Sequence, residues 1–229
     1  MSTIYLIRHG QASFGADNYD QLSPIGYRQA AVTGKFLSRQ ALNIQQVVTG
    51  DMQRHRQTAD HCLAEIGFNG ERITDRKWNE FDHQAILAAY NPQYSDIAGV
   101  RKDIAHLPDP MPAFQRIFEE ALGRWCSGQY DNEYPESWQQ LIGRSMAGFE
   151  SLVPQVEKGK TTLVFTSGGI ISALMSHLLQ IPLQQTLALQ WLMPNCSISK
   201  IMVHKSRFTV STLNEYSFLE MHEGLLTYR

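Results

Sequence analysis

Three short apolar runs constrain this chain more than any other feature: Thr3-Ile4-Tyr5-Leu6-Ile7, Gln45-Gln46-Val47-Val48-Thr49 and Thr161-Thr162-Leu163-Val164-Phe165-Thr166. Each breaks into a polar or glycine-bearing turn and then into residues with helical spacing. Runs this short and this rich in β-branched side chains read as buried strands. Strands that alternate with helices predict an α/β fold, a three-layer sandwich in which helices cover both faces of a mostly parallel sheet. Leu22-Ser23-Pro24-Ile25-Gly26 opens the first helix, with Ser23 as N-cap, Pro24 at the first helical position and a buried stripe at Tyr27, Ala30, Ala31, Gly34 and Leu37. After the second run, Gly50 and Asp51 turn the chain; Asp51 is expected to cap a helix reaching Ile66, with Ala59, Cys62, Leu63 and Ile66 inside. Ser167-Gly168-Gly169 forms a tight turn into a helix over 170–180, and 197–204 with 208–214 reads as a hairpin at one sheet edge.

Between about 83 and 160 the character changes. Asn91-Pro92, Pro108-Asp109-Pro110-Met111-Pro112 and the turn-rich 128–135 interrupt two helices, one near 113–126 and one after Ser137. The pattern predicts a helical cap inserted into a single domain over 1–229. The aromatic residues of this stretch, Trp125, Tyr130, Tyr134 and Trp138, suit core and substrate contact equally well.

Composition narrows the partners. A formal charge of −2, with no basic cluster or stripe, excludes a general nucleic-acid or membrane-surface binder. Cys62, Cys126 and Cys196 are few, odd in number and far apart, which reads as three small hydrophobes in a reducing compartment rather than a disulfide framework. No basic leader with a long apolar core begins the chain, and no run reaches the ~18 apolar residues that span a bilayer, so a cytoplasmic location is expected. The expected partner is small; a homodimer is compatible with the sequence.

Ligands of open parallel sheets bind beyond the carboxyl ends of the strands. The first strand ends in Arg8-His9-Gly10-Gln11, the second leads into Asp51-Met52-Gln53-Arg54, and the late strand ends in Ser167-Gly168-Gly169. Glu80 and His83 follow within Trp78-Asn79-Glu80-Phe81-Asp82-His83. Two guanidinium forks, an imidazole that titrates near neutrality, a carboxyl group, a hydroxyl and glycine N–H groups at a helix start suit a phosphoryl group. Gln11 and Ser13 offer further hydrogen bonds. His55 and Arg56 flank Arg54 on a helix where at most one shares its face, so both are expected to be solvated or structural. His, Cys and carboxylate side chains show none of the usual ligand spacings, so neither a metal nor another cofactor is expected.

Five ordered blocks resemble the histidine phosphatase superfamily, which includes cofactor-dependent phosphoglycerate mutases: Leu6-Ile7-Arg8-His9-Gly10-Gln11, the run from Leu22 to Ala30, the run from Asp51 to Ala59, Glu80, and Leu163-Val164-Phe165-Thr166-Ser167-Gly168-Gly169. The resemblance implies that His9 is a nucleophile forming a phosphohistidine, that Arg8 and Arg54 hold the non-bridging oxygens, and that Glu80 is the general acid and then the base, a task suited to a carboxyl pKa raised by partial burial. It also implies a small phosphoester as substrate. Two departures qualify it. The family usually places a second histidine where this chain has Ser167; the expected consequences are slow turnover, a phosphoester-binding or interaction protein that has lost turnover, or a substitute imidazole, for which His83 and His204 are candidates. The mutase-type Trp-Asn and Gly-Trp elements are absent after Arg8-His9-Gly10, which favours hydrolysis over mutase activity.

Overall fold

The apolar runs pair as one sheet in the computed structural model, which describes residues 2–13, 19–205 and 207–228. In chain order, β1 (Ser2–Arg8), α1 (Pro24–Ser38), β2 (Ile44–Thr49), α2 (Gln53–Ile66) and β3 (Arg72–Thr74) are followed by four helices, α3 (His83–Tyr90), α4 (Ile97–Ile104), α5 (Pro110–Cys126) and α6 (Trp138–Leu152). Then come β4 (Thr161–Thr166), α7 (Gly168–Leu179), α8 (Leu183–Trp191), β5 (Ile198–His204), β6 (Arg207–Glu215) and the short α9 (Ser217–Glu220). Among the described residues the sheet has six strands in the order β3-β2-β4-β1-β5-β6. The first four run parallel, and the β5–β6 hairpin adds an antiparallel edge beside β1. The fold is thus the expected α/β one.

Alternation along the strands feeds both faces. Tyr5, Ile7, Val47, Leu163 and Phe165 point to one side, where Ala30 and Leu37 of α1, Ala59, Cys62 and Leu63 of α2, and Phe218 and Leu219 of α9 complete a cluster closed to solvent. Ile4, Leu6, Val48 and Val164 have the opposite parity and are equally buried, as are Ile170, Ile171, Ala173, Leu174 and Met175 of α7. The register decides where chemistry can occur: Arg8 lies opposite Thr166 and Thr49 opposite Phe165. His9, Gly50 and Ser167 therefore leave three neighbouring strands at one end of the sheet.

Several local expectations need correction. The buried stripe of α1 is Gly26, Gln29, Ala30, Thr33, Gly34 and Leu37, with Tyr27 and Ala31 only partly covered. Two polar residues sit inside because each has a partner: Gln29 accepts from the Gln11 N–H at 2.8 Å, and Thr33 donates to the Gln29 carbonyl at 2.8 Å. Ser23 caps α1 as expected, accepting from the Gly26 N–H at 3.1 Å. Asp51 does not cap α2. Its carboxylate accepts from Asn79 and from Arg76, and the Gln53 N–H instead donates to Asp20 Oδ2 at 2.7 Å. The strand β3 and the helices α3, α4 and α8 lacked a legible signal; β3, for example, is three residues long and exposed throughout.

The chain groups into two compact units, one of Met1–Glu80 with Ser145–Arg229 and the other of Phe81–Arg144. Inside the second unit Trp125 and Trp138 meet edge to face at 5.4 Å, Trp125 Nε1 donates to the Glu136 carbonyl, and Arg144 forks onto the Glu136 carboxylate at 2.7 and 2.8 Å. Trp125, Tyr134 and Trp138 are therefore core residues. Tyr130 is exposed and lies 3.8 Å under the Arg124 guanidinium. His83 packs against Phe81 and Phe118 of the same unit.

Candidate active site

His9 sits where β1 leaves the sheet, and its backbone is held on both sides. Its N–H donates to the Thr166 carbonyl at 2.8 Å, and its carbonyl accepts from the Cys196 N–H and from Asn195 Nδ2, both at 3.2 Å. The ring is 5% exposed. Nδ1 lies 2.7 Å from the Gly10 carbonyl, which only accepts, so Nδ1 carries the proton. Nε2 therefore presents a lone pair. A second neighbour requires the same tautomer, since Arg54 Nε, which only donates, points at His9 Nε2 from 3.3 Å. Burial, then the charges of Arg54 and Arg8, hold the imidazole pKa well below its ordinary value of 6.5. A buried, neutral imidazole with one fixed lone pair is a nucleophile at pH 7.

The first turn of α2 straddles the ends of β1 and β4. Arg54, also 5% exposed, reaches His9 with Nε and Asp20 Oδ1 with Nη1 at 2.6 Å. Thr58, one turn on, donates to the Arg54 carbonyl at 2.6 Å and accepts from the Gly10 N–H at 3.0 Å, which locks the helix to the strand end. Arg8 is half-buried; Nη1 donates to the Met193 carbonyl, while the buried Nε has no partner among the described residues. Burial lowers the Arg8 pKa, and the nearby Glu80 carboxylate opposes that change.

Glu80 reaches the start of α7, where Ser167 is the N-cap residue. Glu80 Oε2 accepts from the Gly169 N–H at 3.2 Å, and Thr166 Oγ1 donates to the Trp78 carbonyl at 2.6 Å, which ties the Glu80 segment to β4. Gly168 lies against the Arg8 side chain, where an added Cβ would come within 3.3 Å of Nε. Gln11 Oε1 accepts from Ser23 Oγ at 2.8 Å, and its carbonyl accepts from the Ser23 N–H. Ser13 donates its N–H to the Gln21 carbonyl; residues 14–18, the rest of the loop read for mutase elements, lie outside the described residues.

Of the two alternatives expected for His55, solvated or structural, burial removes the first. Its ring is 0% exposed, 5.6 Å from the ring of His9, and its Nε2 is 2.6 Å from Ser167 Oγ. Consecutive side chains of the first turn of α2 reach two neighbouring strand ends, Arg54 that of β1 at His9 and His55 that of β4 at Ser167. Arg56 is exposed, as expected. Of the two other histidines considered, His204 ends β5, which runs antiparallel to β1 with Val203 opposite Ser2, so it lies at the far end of the sheet, about 25 Å from His9 at the usual rise per residue. His83 belongs to the aromatic cluster of the second unit.

Comparison with known proteins agrees with this fold. The sequence profile of the histidine phosphatase superfamily (branch 1) matches residues 4–91 and 110–216. A 2,3-bisphosphoglycerate-dependent phosphoglycerate mutase of Azorhizobium caulinodans is 28% identical over 182 residues, covering 75% of this chain and 79% of the relative. Among solved structures, a phosphoglycerate mutase from Bacillus anthracis superposes with a TM-score of 0.65 at 16% identity, over 95% of this chain and 94% of that one. A mycobacterial glucosyl-3-phosphoglycerate phosphatase in complex with inorganic phosphate superposes with a TM-score of 0.63 at 21% identity, over 94% and 98%.

Proposed function

Because this chain belongs to the histidine phosphatase superfamily (branch 1), we propose that it hydrolyses a small phosphoester through a phosphohistidine at His9. The observation that carries this reading is the tautomer of His9, with Nδ1–H held by the Gly10 carbonyl and the Nε2 lone pair directed at Arg54. An incoming phosphoryl group takes Arg54 from His9 Nε2, and Arg54 and Arg8 then bind its non-bridging oxygens. Their charge lets a neutral nucleophile approach a dianion and stabilises the transition state.

His9 Nε2 forms a bond to phosphorus as the bond from phosphorus to the ester oxygen breaks, and Glu80 protonates that leaving oxygen. Glu80 then takes a proton from water; the oxygen attacks phosphorus, the bond from phosphorus to Nε2 breaks, and inorganic phosphate leaves with His9 neutral again. Asp20 keeps Arg54 in place throughout. Hydrolysis is preferred to mutase activity because the loop after Arg8-His9-Gly10 lacks the Trp-Asn and Gly-Trp elements.

Steady-state assays with p-nitrophenyl phosphate and a panel of phosphomonoesters, including both phosphoglycerate isomers, test the reading. Release of inorganic phosphate that persists with chelator present and is lost in His9→Ala is expected. Interconversion of the phosphoglycerates without phosphate release, or hydrolysis that survives His9→Ala, contradicts it.

A further inference from the structure

Ser167 stands at the N-cap position of α7 yet makes no capping hydrogen bond with its side chain. A serine there ordinarily accepts from an N–H two or three residues on. Here Glu80 takes the Gly169 N–H, and the Ser167 Oγ lies instead 2.6 Å from His55 Nε2. Both residues are closed to water, and His55 Nδ1 has no hydrogen-bond partner among the described residues. The ring gains its room from Gly50, since a Cβ there would overlap His55 Nδ1. A side chain whose task was only to fill this space would be apolar, because an orphaned buried polar atom is costly.

The hydrogen bond has a direction that the surroundings select. With the proton on Nδ1, His55 would bury an unsatisfied N–H donor; with the proton on Nε2, only an acceptor goes unmatched, the lesser penalty. In the second tautomer Nε2–H donates to Ser167 Oγ, and the hydroxyl proton must point elsewhere. A phosphoryl oxygen arriving at that hydroxyl selects the same arrangement. We propose that His55 is a positioning residue, which turns the Ser167 hydroxyl proton away from α2 so that it donates to the phosphoryl group that His9 receives. The imidazole expected at position 167 is thus supplied from α2 and works through serine. The inference rests on the phosphoryl-transfer reading of this site.

Its test uses His55→Leu, which keeps bulk and removes the donor, His55→Gln, which keeps an N–H near the position of Nε2, Ser167→Ala, and the Ser167→Ala/His55→Leu pair. The readouts are kcat/KM for p-nitrophenyl phosphate, the Kd for orthovanadate and Tm. His55→Leu and Ser167→Ala are each expected to lower kcat/KM about 10- to 100-fold, the loss of one preorganised neutral donor. The pair should be no worse than either alone, His55→Gln should recover most of the rate, and the Tm of His55→Leu should be equal or higher. Full activity in His55→Leu, losses that multiply in the pair, or an acid-stable phosphate trapped on Ser167 would overturn the proposal. If His55→Leu does not fold, nitrogen chemical shifts of His55 in the wild-type protein with orthovanadate decide: the Nε2–H tautomer supports the proposal and the Nδ1–H tautomer contradicts it. Absence of phosphohistidine in the wild type counts against the reading of the site, whereas normal turnover insensitive to His55 counts against this inference alone.

Discussion

Burial and charge act on His9 and His55 in the same direction. Both imidazoles are held well below the ordinary 6.5, first by desolvation and then by Arg54, so the native protein keeps them neutral where an unfolded chain would protonate them. As pH falls below about 6.5, the unfolded state binds protons that the native state refuses, and stability drops by about 1.4 kcal/mol per pH unit for each such histidine. Above that pH the penalty vanishes. Denaturant midpoints measured between pH 7.5 and 5.5 should show this slope, and His55→Leu should flatten it. The same geometry bears on Ser167→His. Because His55 already fills the space, the new ring overpacks the site, with an expected loss of about 1–3 kcal/mol and no gain in rate; adding His55→Ala should relieve it. Thermal melts and kcat/KM of the single and paired variants check both halves. Cys62, Cys126 and Cys196 are all buried, and burial pushes the thiols of Cys126 and Cys196 up to about 12.

Among elements, α2 carries the most. Its first turn delivers Arg54 to His9 and His55 to Ser167, and its N-terminus is closed by Asp20 rather than by a residue of its own. Asp20 also pairs with the Arg54 guanidinium, so one carboxylate caps the helix and braces the phosphate fork. Asp20→Ala is expected to cost about 1 kcal/mol of stability as a lost cap and, separately, to raise KM for a phosphoester, because Arg54 loses its anchor. A melt with steady-state kinetics distinguishes the two effects. The contact between the loop after β1 and α1 is equally tight: a Cβ on Gly26 would run into the Gln11 backbone, and one on Gly10 into the Gly26 carbonyl. Strands and helix starts with local signals were legible, as Ser23 with Pro24 illustrates. The cap of α2 was not, because Asp20 lies more than 30 residues earlier and only the folded loop brings it there. The contact of His55 with Ser167 was not legible for a similar reason: helical spacing tells which residues share a side of α2, but not which strand ends its first turn reaches.

For the whole molecule, the strand order explains why distant blocks of sequence form one site. β1 lies between β4 and β5, and β2 flanks β4, so residues 9, 50 and 167 emerge together although they are far apart along the chain. Alternating strands and helices made the α/β class and its parallel centre readable, and the late hairpin was readable as an edge. The helices α3 and α4 were less so, because turn-rich segments interrupt the apolar spacing. No helix among the described residues is long and apolar enough to cross a membrane. The central claim, phosphoryl transfer through His9, is tested most directly by rapid acid-free quenching of a reaction with phosphorus-labelled phosphoester. The account predicts a covalent label that is acid-labile, base-stable and absent from His9→Ala; turnover without any such label, or a label that persists in His9→Ala, would contradict it.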